Sequence, residues 1–223
     1  MASVQWDSEL MTNYAEAVNV PAGKKLRACV DELSKQPAVF SLSNHQVPKL
    51  QLIRVDSQGR RTLTDVAALL NVPTNSIIDT FDVQQSADLT IFLAFSVKVD
   101  DRESKLWIIK PFKLTEEIKL LALPMRSVGR VHDIHIGPFG EDGTGYPAVY
   151  LMHQPLSRTA VNDDVAQIRV SLEKNNWEER KELTLPVNVQ KILDVAPAYA
   201  GFFGHGSVTL IYVVPYMLTY DPD

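Results

Sequence analysis

Cysteine is almost absent from this sequence. Cys29 stands alone among 223 residues, so no internal disulfide can form. Its apolar-flanked setting, "LRACVDEL", reads as a small buried hydrophobe rather than a reactive thiol. A single thiol also suits a reducing compartment. A basic excess is missing too: 22 Lys and Arg face 27 Asp and Glu, for a net charge of −5. That balance excludes the basic footprint by which nucleic-acid binders attract phosphate. No long hydrophobic run is present. The most apolar stretch, "VTLIYVVPYML" at 208–218, is too short to span a bilayer and is interrupted by Pro215. The first residues, "MASVQWDSELMTNY", lack the basic start and apolar core of a secretory signal. These absences predict a soluble cytoplasmic or nuclear protein with no nucleic-acid or membrane partner. What is present is ordinary for a globular chain: 45% apolar and 22% charged residues. The length suffices to bury a core without covalent staples.

The chain repeats itself. Aspartates recur at Asp31, Asp79, Asp133 and Asp194, spaced by 48, 54 and 61 residues. Shortly before each stands a proline after an apolar residue, at 20–21, 72–73, 123–124 and 185–186. After each aspartate comes an apolar run: "PAVFSLSN", "LTIFLAFSVKV", "PAVYLMHQP" and "SVTLIYVVPY". These runs are β-branched and aromatic, bounded by turn formers, as buried strands are. Alternating runs follow in three units, "KLQLIRV", "KLWIIKPF" and "VAQIRVSL", which places one face in a core and one in water. More polar runs close those units: "RRTLTDVAALL", "TEEIKLLALP" and "WEERKELTLP". "LEKNNWEERKEL", 172–183, looks helical by composition, but the repeat makes it strand, turn and strand, with Asn175 and Asn176 in the turn. The proline is expected to end one outer strand and the aspartate to open the next inner one.

This gradient of weak, apolar, alternating and polar strands resembles a β-propeller, at the level of architecture and over nearly the whole chain. The tryptophan-aspartate and kelch signatures are absent. The resemblance implies an all-β, propeller-like array of about four four-stranded antiparallel blades in a single domain, 1–223. The units fall near 26–70, 74–122, 128–185 and 189–223. Residues 1–25 are a closing segment, either a strand that completes the last blade or a short helix capped at Ser8. An incomplete ring would expose strand edges and so require a protein partner or self-association.

Few residues point to chemistry. The four aspartates, Asp31, Asp79, Asp133 and Asp194, either cap turns between units or form a ring of carboxylates able to hold a cation. In "HDIH", Asp133 and His135 share a face of a strand, whereas His132 and His135 do not, so the two imidazoles cannot chelate one ion. Asp79, Asp133 and His135 are the candidates for acid–base catalysis in a carboxylate-dependent hydrolase or lyase. The loops "GPFGEDGTGYP" (137–147) and "AYAGFFGHGS" (198–207) combine glycines with aromatics. Phe139, Tyr146, Phe202, Phe203 and His205 are therefore the candidates for contacting a protein, glycan or small molecule, unless their rings turn inward to fill the core. The acidic tips with Asp100, Asp101, Glu103, Asp163 and Asp164 read as solvated turns. No phosphate loop, nucleophile elbow or zinc spacing occurs, so no cofactor is expected. The expectation is a non-catalytic binding or scaffold module.

Overall fold

The computed structural model describes residues 25–43, 46–56, 58–137, 147–156, 164–180, 191–198 and 207–213. The first apolar and alternating runs become β1 (Leu26–Val30), β2 (Pro37–Leu42), β3 (Leu50–Val55) and β4 (Arg61–Asp65), a four-stranded antiparallel sheet in chain order. A single helical turn, α1 (Val66–Leu69), follows directly. Asp65 caps it by accepting the Ala68 amide at 3.1 Å, the usual role of an aspartate before a helix. The run predicted as one outer strand, "RRTLTDVAALL", is thus half strand and half helical turn, because Val66 and Ala67 turn into the core.

The next strands are β5 (Ile77–Gln85), β6 (Ile91–Lys98), β7 (Glu103–Phe112), β8 (Arg126–Ile136), β9 (Val149–Gln154), β10 (Asp164–Ser171) and β11 (Asn176–Arg180). They form one seven-stranded antiparallel sheet, again in chain order. β12 (Lys191–Ala198) and β13 (Ser207–Val213) form a hairpin. The chain is all-β, built from curled antiparallel sheets. A closed ring of four separate four-stranded blades is not formed among the described residues: the second and third units are fused into one sheet, and the fourth contributes two strands. The turn expected at Asn175 and Asn176 lies between β10 and β11 but falls earlier, at 172–175, with Asn175 at φ 49° and Asn176 opening β11. Asparagine tolerates that left-handed conformation.

Two cores alternate through β6. Ile91, Leu93, Phe95 and Val97 point to one side, where they meet Phe40, Leu42, Leu50 and Leu52 of the first sheet. Phe92 and Ala94 point to the other, where they meet Leu106 and Ile108 of β7 and Val149, Leu151, Ala166 and Ile168 of β9 and β10. This is why "LTIFLAFSVKV" is apolar without alternation: both its faces are enclosed. Phe95 stacks on Trp107 with ring centroids 5.6 Å apart. On the far side of the first sheet, Val39 and Ile53 form a smaller cluster with Leu26 and Val55.

β8 explains how two units share one sheet. Its first residues, Arg126 to Gly129, pair with Leu106 to Glu103 of β7, and from Arg130 onward it pairs with β9. The change of partner falls at Gly129. A Cβ there would lie 1.8 Å from the Gln154 carbonyl oxygen, so only glycine allows β9 to come this close. Pro124, expected to end the outer strand, instead lies along it. Ala122 bridges to Ile109 on one side of the proline, and Arg126 pairs with Leu106 on the other. Three residues oppose two there, an irregularity in which a residue without an N–H does no harm to the ladder. Trp177 of β11 donates its indole N–H to the Pro124 carbonyl at 2.8 Å, and the Arg126 guanidinium lies 4.6 Å over its ring.

Candidate functional site: polar rows on the inner strands

β1, β5 and β8 open their units, and each lies against the next. Polar residues recur two apart on each: Lys25 and Arg27 at β1, Thr80 and Asp82 on β5, Asp133 and His135 on β8. Residues two apart share a face, so these six form two rows running across the three strands.

In the first row, Lys25 Nζ lies 2.5 Å from Asp133 Oδ1 and donates to the Ile134 carbonyl at 2.6 Å. Thr80 donates its hydroxyl to the same carboxylate at 3.0 Å. In the second row, Arg27 Nε donates to Asp82 Oδ1, and the Ile136 amide donates to Asp82 Oδ2 at 2.7 Å. His135 Nδ1 stands 3.7 Å from that oxygen. Gln85 completes the seam by donating to the Val30 carbonyl at 2.9 Å and accepting the Val30 amide at 2.8 Å. Two cations thus face two carboxylates across β5, and Lys25 reaches over β5 to the strand beyond it.

Asp82 is the centre of the arrangement. Its side chain is only 3% exposed, and a buried carboxylate is tolerated when paired and hydrogen-bonded, as this one is. Each strand alone would leave a polar group stranded among apolar neighbours; together they satisfy one another. Chemically, the arrangement cross-links three strands.

The sequence alignment of aspartates is shifted by these contacts. Each of β5, β8 and β12 carries a register irregularity near the start of its pairing with the following strand, between Ile78 and Thr80, Val131 and Asp133, and Ile192 and Asp194. The extra residues are Asp79, His132 and Leu193. Asp79 therefore matches His132, and Thr80 matches Asp133 and Asp194 in backbone position. Asp79 sits half-buried in its bulge. Asp133 and His135 do share a face, and the structure brings them to Lys25 and Asp82 respectively. Asp31 lies elsewhere. Arg27 meets Asp82 and Val30 meets Gln85, both at a separation of 55 residues, which matches Asp31 to Ser86 at the opposite end of the inner strand. Among the described residues, no three histidine, cysteine or acidic side chains come close enough to hold a metal ion.

Asp31 anchors a second polar cluster at that end. Its carboxylate accepts the Leu33 and Ser34 amides at 2.8 and 3.2 Å and Arg54 Nε at 2.5 Å. Arg54 also donates to the Thr115 carbonyl at 2.8 Å. Burial alone would raise the Asp31 pKa, but the Arg54 guanidinium and the two amides outweigh it and hold the carboxyl below its usual range. Neighbouring Cys29 is pushed up to about 12, chiefly by burial and then by the Asp31 charge, against a smaller opposing effect of Arg54. It is a buried free thiol. Nearby, Asp88 is held down to about 2 by hydrogen bonds from Ser86 and Thr90.

Phe139, Tyr146, Phe202, Phe203 and His205 lie outside the described residues, as does Asp163. Asp194 is placed by its backbone in β12. Asp100 and Asp101 sit at the exposed turn between β6 and β7, where Asp100 accepts the Arg102 and Glu103 amides and Asp101 pairs with Lys98 at 2.7 Å.

Lys25, Arg27, Thr80 and Asp82 were not anticipated as a site. The signal that finds them is the placing of polar residues two apart on the first strand of each unit. No family model matches the chain, and neither a curated protein nor a solved structure matches it.

Proposed function

We propose that the chain is a propeller-like, non-catalytic interaction module that presents its outer strands to a protein partner. The observation that carries this reading is where apolar side chains meet water. Leu63 on β4 and Leu69 on α1 are exposed in the first unit, and so are Leu121 and Met125 in the segment that leads from β7 to β8. Large apolar side chains left in water at interaction surfaces are covered when a partner binds. The engagement of Asp82 and Asp133 by cations and amides supports the same reading. A general acid or base needs a proton site within reach of a substrate, and these carboxylates are occupied in joining strands. No helix of the described residues is long and apolar enough to cross a membrane.

The test is cross-linking mass spectrometry on the full chain in its native extract. A quadruple variant, Leu63→Ser, Leu69→Gln, Leu121→Ser and Met125→Gln, serves as control. The expected outcome is a specific cross-linked protein with the parent chain that disappears with the variant, while far-ultraviolet circular dichroism stays unchanged. A monodisperse parent chain that captures no specific protein overturns the reading.

A further inference from the structure

We propose that the far face of the first sheet is a seat for this chain's own residues 8–19, lying across β2 and β3 as an amphipathic helix. Residues 1–24 lie outside the described residues. Three things assign them this place: the burial of the face, the shape of that burial, and the sequence that leads into β1.

The face is buried without a visible cover. Val39 of β2 stands opposite Ile53 of β3, and Ser41 stands opposite Gln51 on the same side of the sheet. All four are buried, Val39 and Ser41 completely. The apolar side chains packed around Val39 and Ile53 among the described residues are Leu26 and Val55, which belong to the same sheet. Side chains standing side by side on one sheet cannot keep water from one another's tips. That takes a second layer, about 10 Å away. A further part of this chain therefore lies over β2 and β3.

The shape of the burial narrows what that part is. Leu26 and Ala28 on β1 are only half-buried, and Leu63 on β4, opposite Ile53, is 60% exposed. The protected band is thus two strands wide, about 10 Å, which is the width of a single helix. Where the first and second units meet, their opening strands come together, β1 against β5. A fourth unit closing on the first in that manner would protect β1 most and β3 least. The observed order is the reverse.

The sequence before β1 fits the band. At about 100° per residue, Leu10, Met11, Tyr14, Ala17 and Val18 fall on one side of a helix, and Glu9, Thr12, Asn13, Glu16 and Asn19 on the other. Ser8 supplies an N-cap, and Pro21 stands just past the end. From Glu9 to Asn19 such a helix is about 17 Å long, against about 20 Å for β2. Pro21 and Gly23 allow the turn that returns the chain to Lys25, beside Leu26 at the border of the face.

The test places a photo-cross-linker in the segment, Tyr14→p-benzoylphenylalanine, in the full chain. After illumination and proteolysis, mass spectrometry is expected to find Tyr14 joined to peptides from 37–43 or 49–55 of the same molecule. A link to 186–223, a link to a second copy in an isotopically mixed sample, or no link at all overturns the proposal. A matched pair of double variants gives a second readout. Leu10→Asp with Val18→Asp should speed amide exchange in β2 and β3 by about tenfold or more and raise the binding of an apolar dye. Thr12→Asp with Asn19→Asp, on the opposite side of the helix, should leave both as in the parent chain. Equal effects from the two pairs overturn the proposal as well.

Discussion

Asp31 shows how one side chain can organise a turn, an ion pair and a pH dependence. Replacing it with asparagine keeps the turn's shape but leaves Arg54 without its carboxylate. The expected loss is about 2 kcal/mol near neutral pH, typical of a hydrogen bond to a charged partner. The sign of the pH effect follows from the lowered pKa. The stabilisation is fully present above the unfolded-state value, near the ordinary 3.8, and is lost as pH falls through the lower folded-state value. Urea melts at pH 7 and pH 2.5 should therefore show a larger gap between Asp31→Asn and the parent chain at the first than at the second. An equal gap at both would disconnect Asp31 from the charge of Arg54. Cys29 gives a simpler test. With its thiol pushed up to about 12 and buried, it should resist iodoacetamide at pH 8 in the folded chain and react promptly in 6 M urea. Asp82→Asn probes the inner rows. Removing the charge while Arg27 remains should cost about 3 kcal/mol. A cost below about 1 kcal/mol would show the row is not a cross-link.

At the scale of strands, β8 is the element on which most depends. Gly129→Ala would force a methyl group into the Gln154 carbonyl, with the Pro155 Cα only 2.9 Å from the new atom. Neither obstacle is a flexible side-chain end, so the expected cost is about 3 kcal/mol, at the upper end for overpacking. Chemical denaturation measures it, with a midpoint shift at unchanged slope. Trp177→Phe keeps most of the packing and deletes the bond to Pro124. The expected loss is about 1 kcal/mol, accompanied by faster hydrogen exchange in β11.

The apolar strands were legible at this scale because their signals are local. "PAVFSL" and "VYLMHQ" are bounded by turn formers and enclosed on both faces. The turn before Asn176 was legible for the same reason. The inner rows were not, because their partners are far apart in sequence: 108 residues separate Lys25 from Asp133, and 55 separate Arg27 from Asp82. A bulge shifts an alignment by one without leaving any mark in composition. That is how Asp79 was matched to Asp133 when Thr80 is its counterpart. The passage through Pro124 was misjudged on similar grounds. A proline is a reliable stop for a central strand, but here it stands at an irregularity on an outer edge, where its missing N–H goes unnoticed.

At the scale of the molecule, every described strand pairs with at least one sequence neighbour, and side chains join the first strands of the units across greater separations. The continuity of β8 sets a limit on how far the repeats are separate things. A strand that serves two units cannot be assigned to either, and a cut anywhere from 126 to 136 would strip an edge from both. The second and third units should therefore melt together, with circular dichroism, tryptophan fluorescence and exchange of the β6 and β9 amides following one curve. Shuffling, excising or duplicating a unit, the ordinary commerce of repeat proteins, is closed to this pair. The periodicity of the sequence does not divide the sheet there, because one continuous strand carries the backbone pairing of both sides.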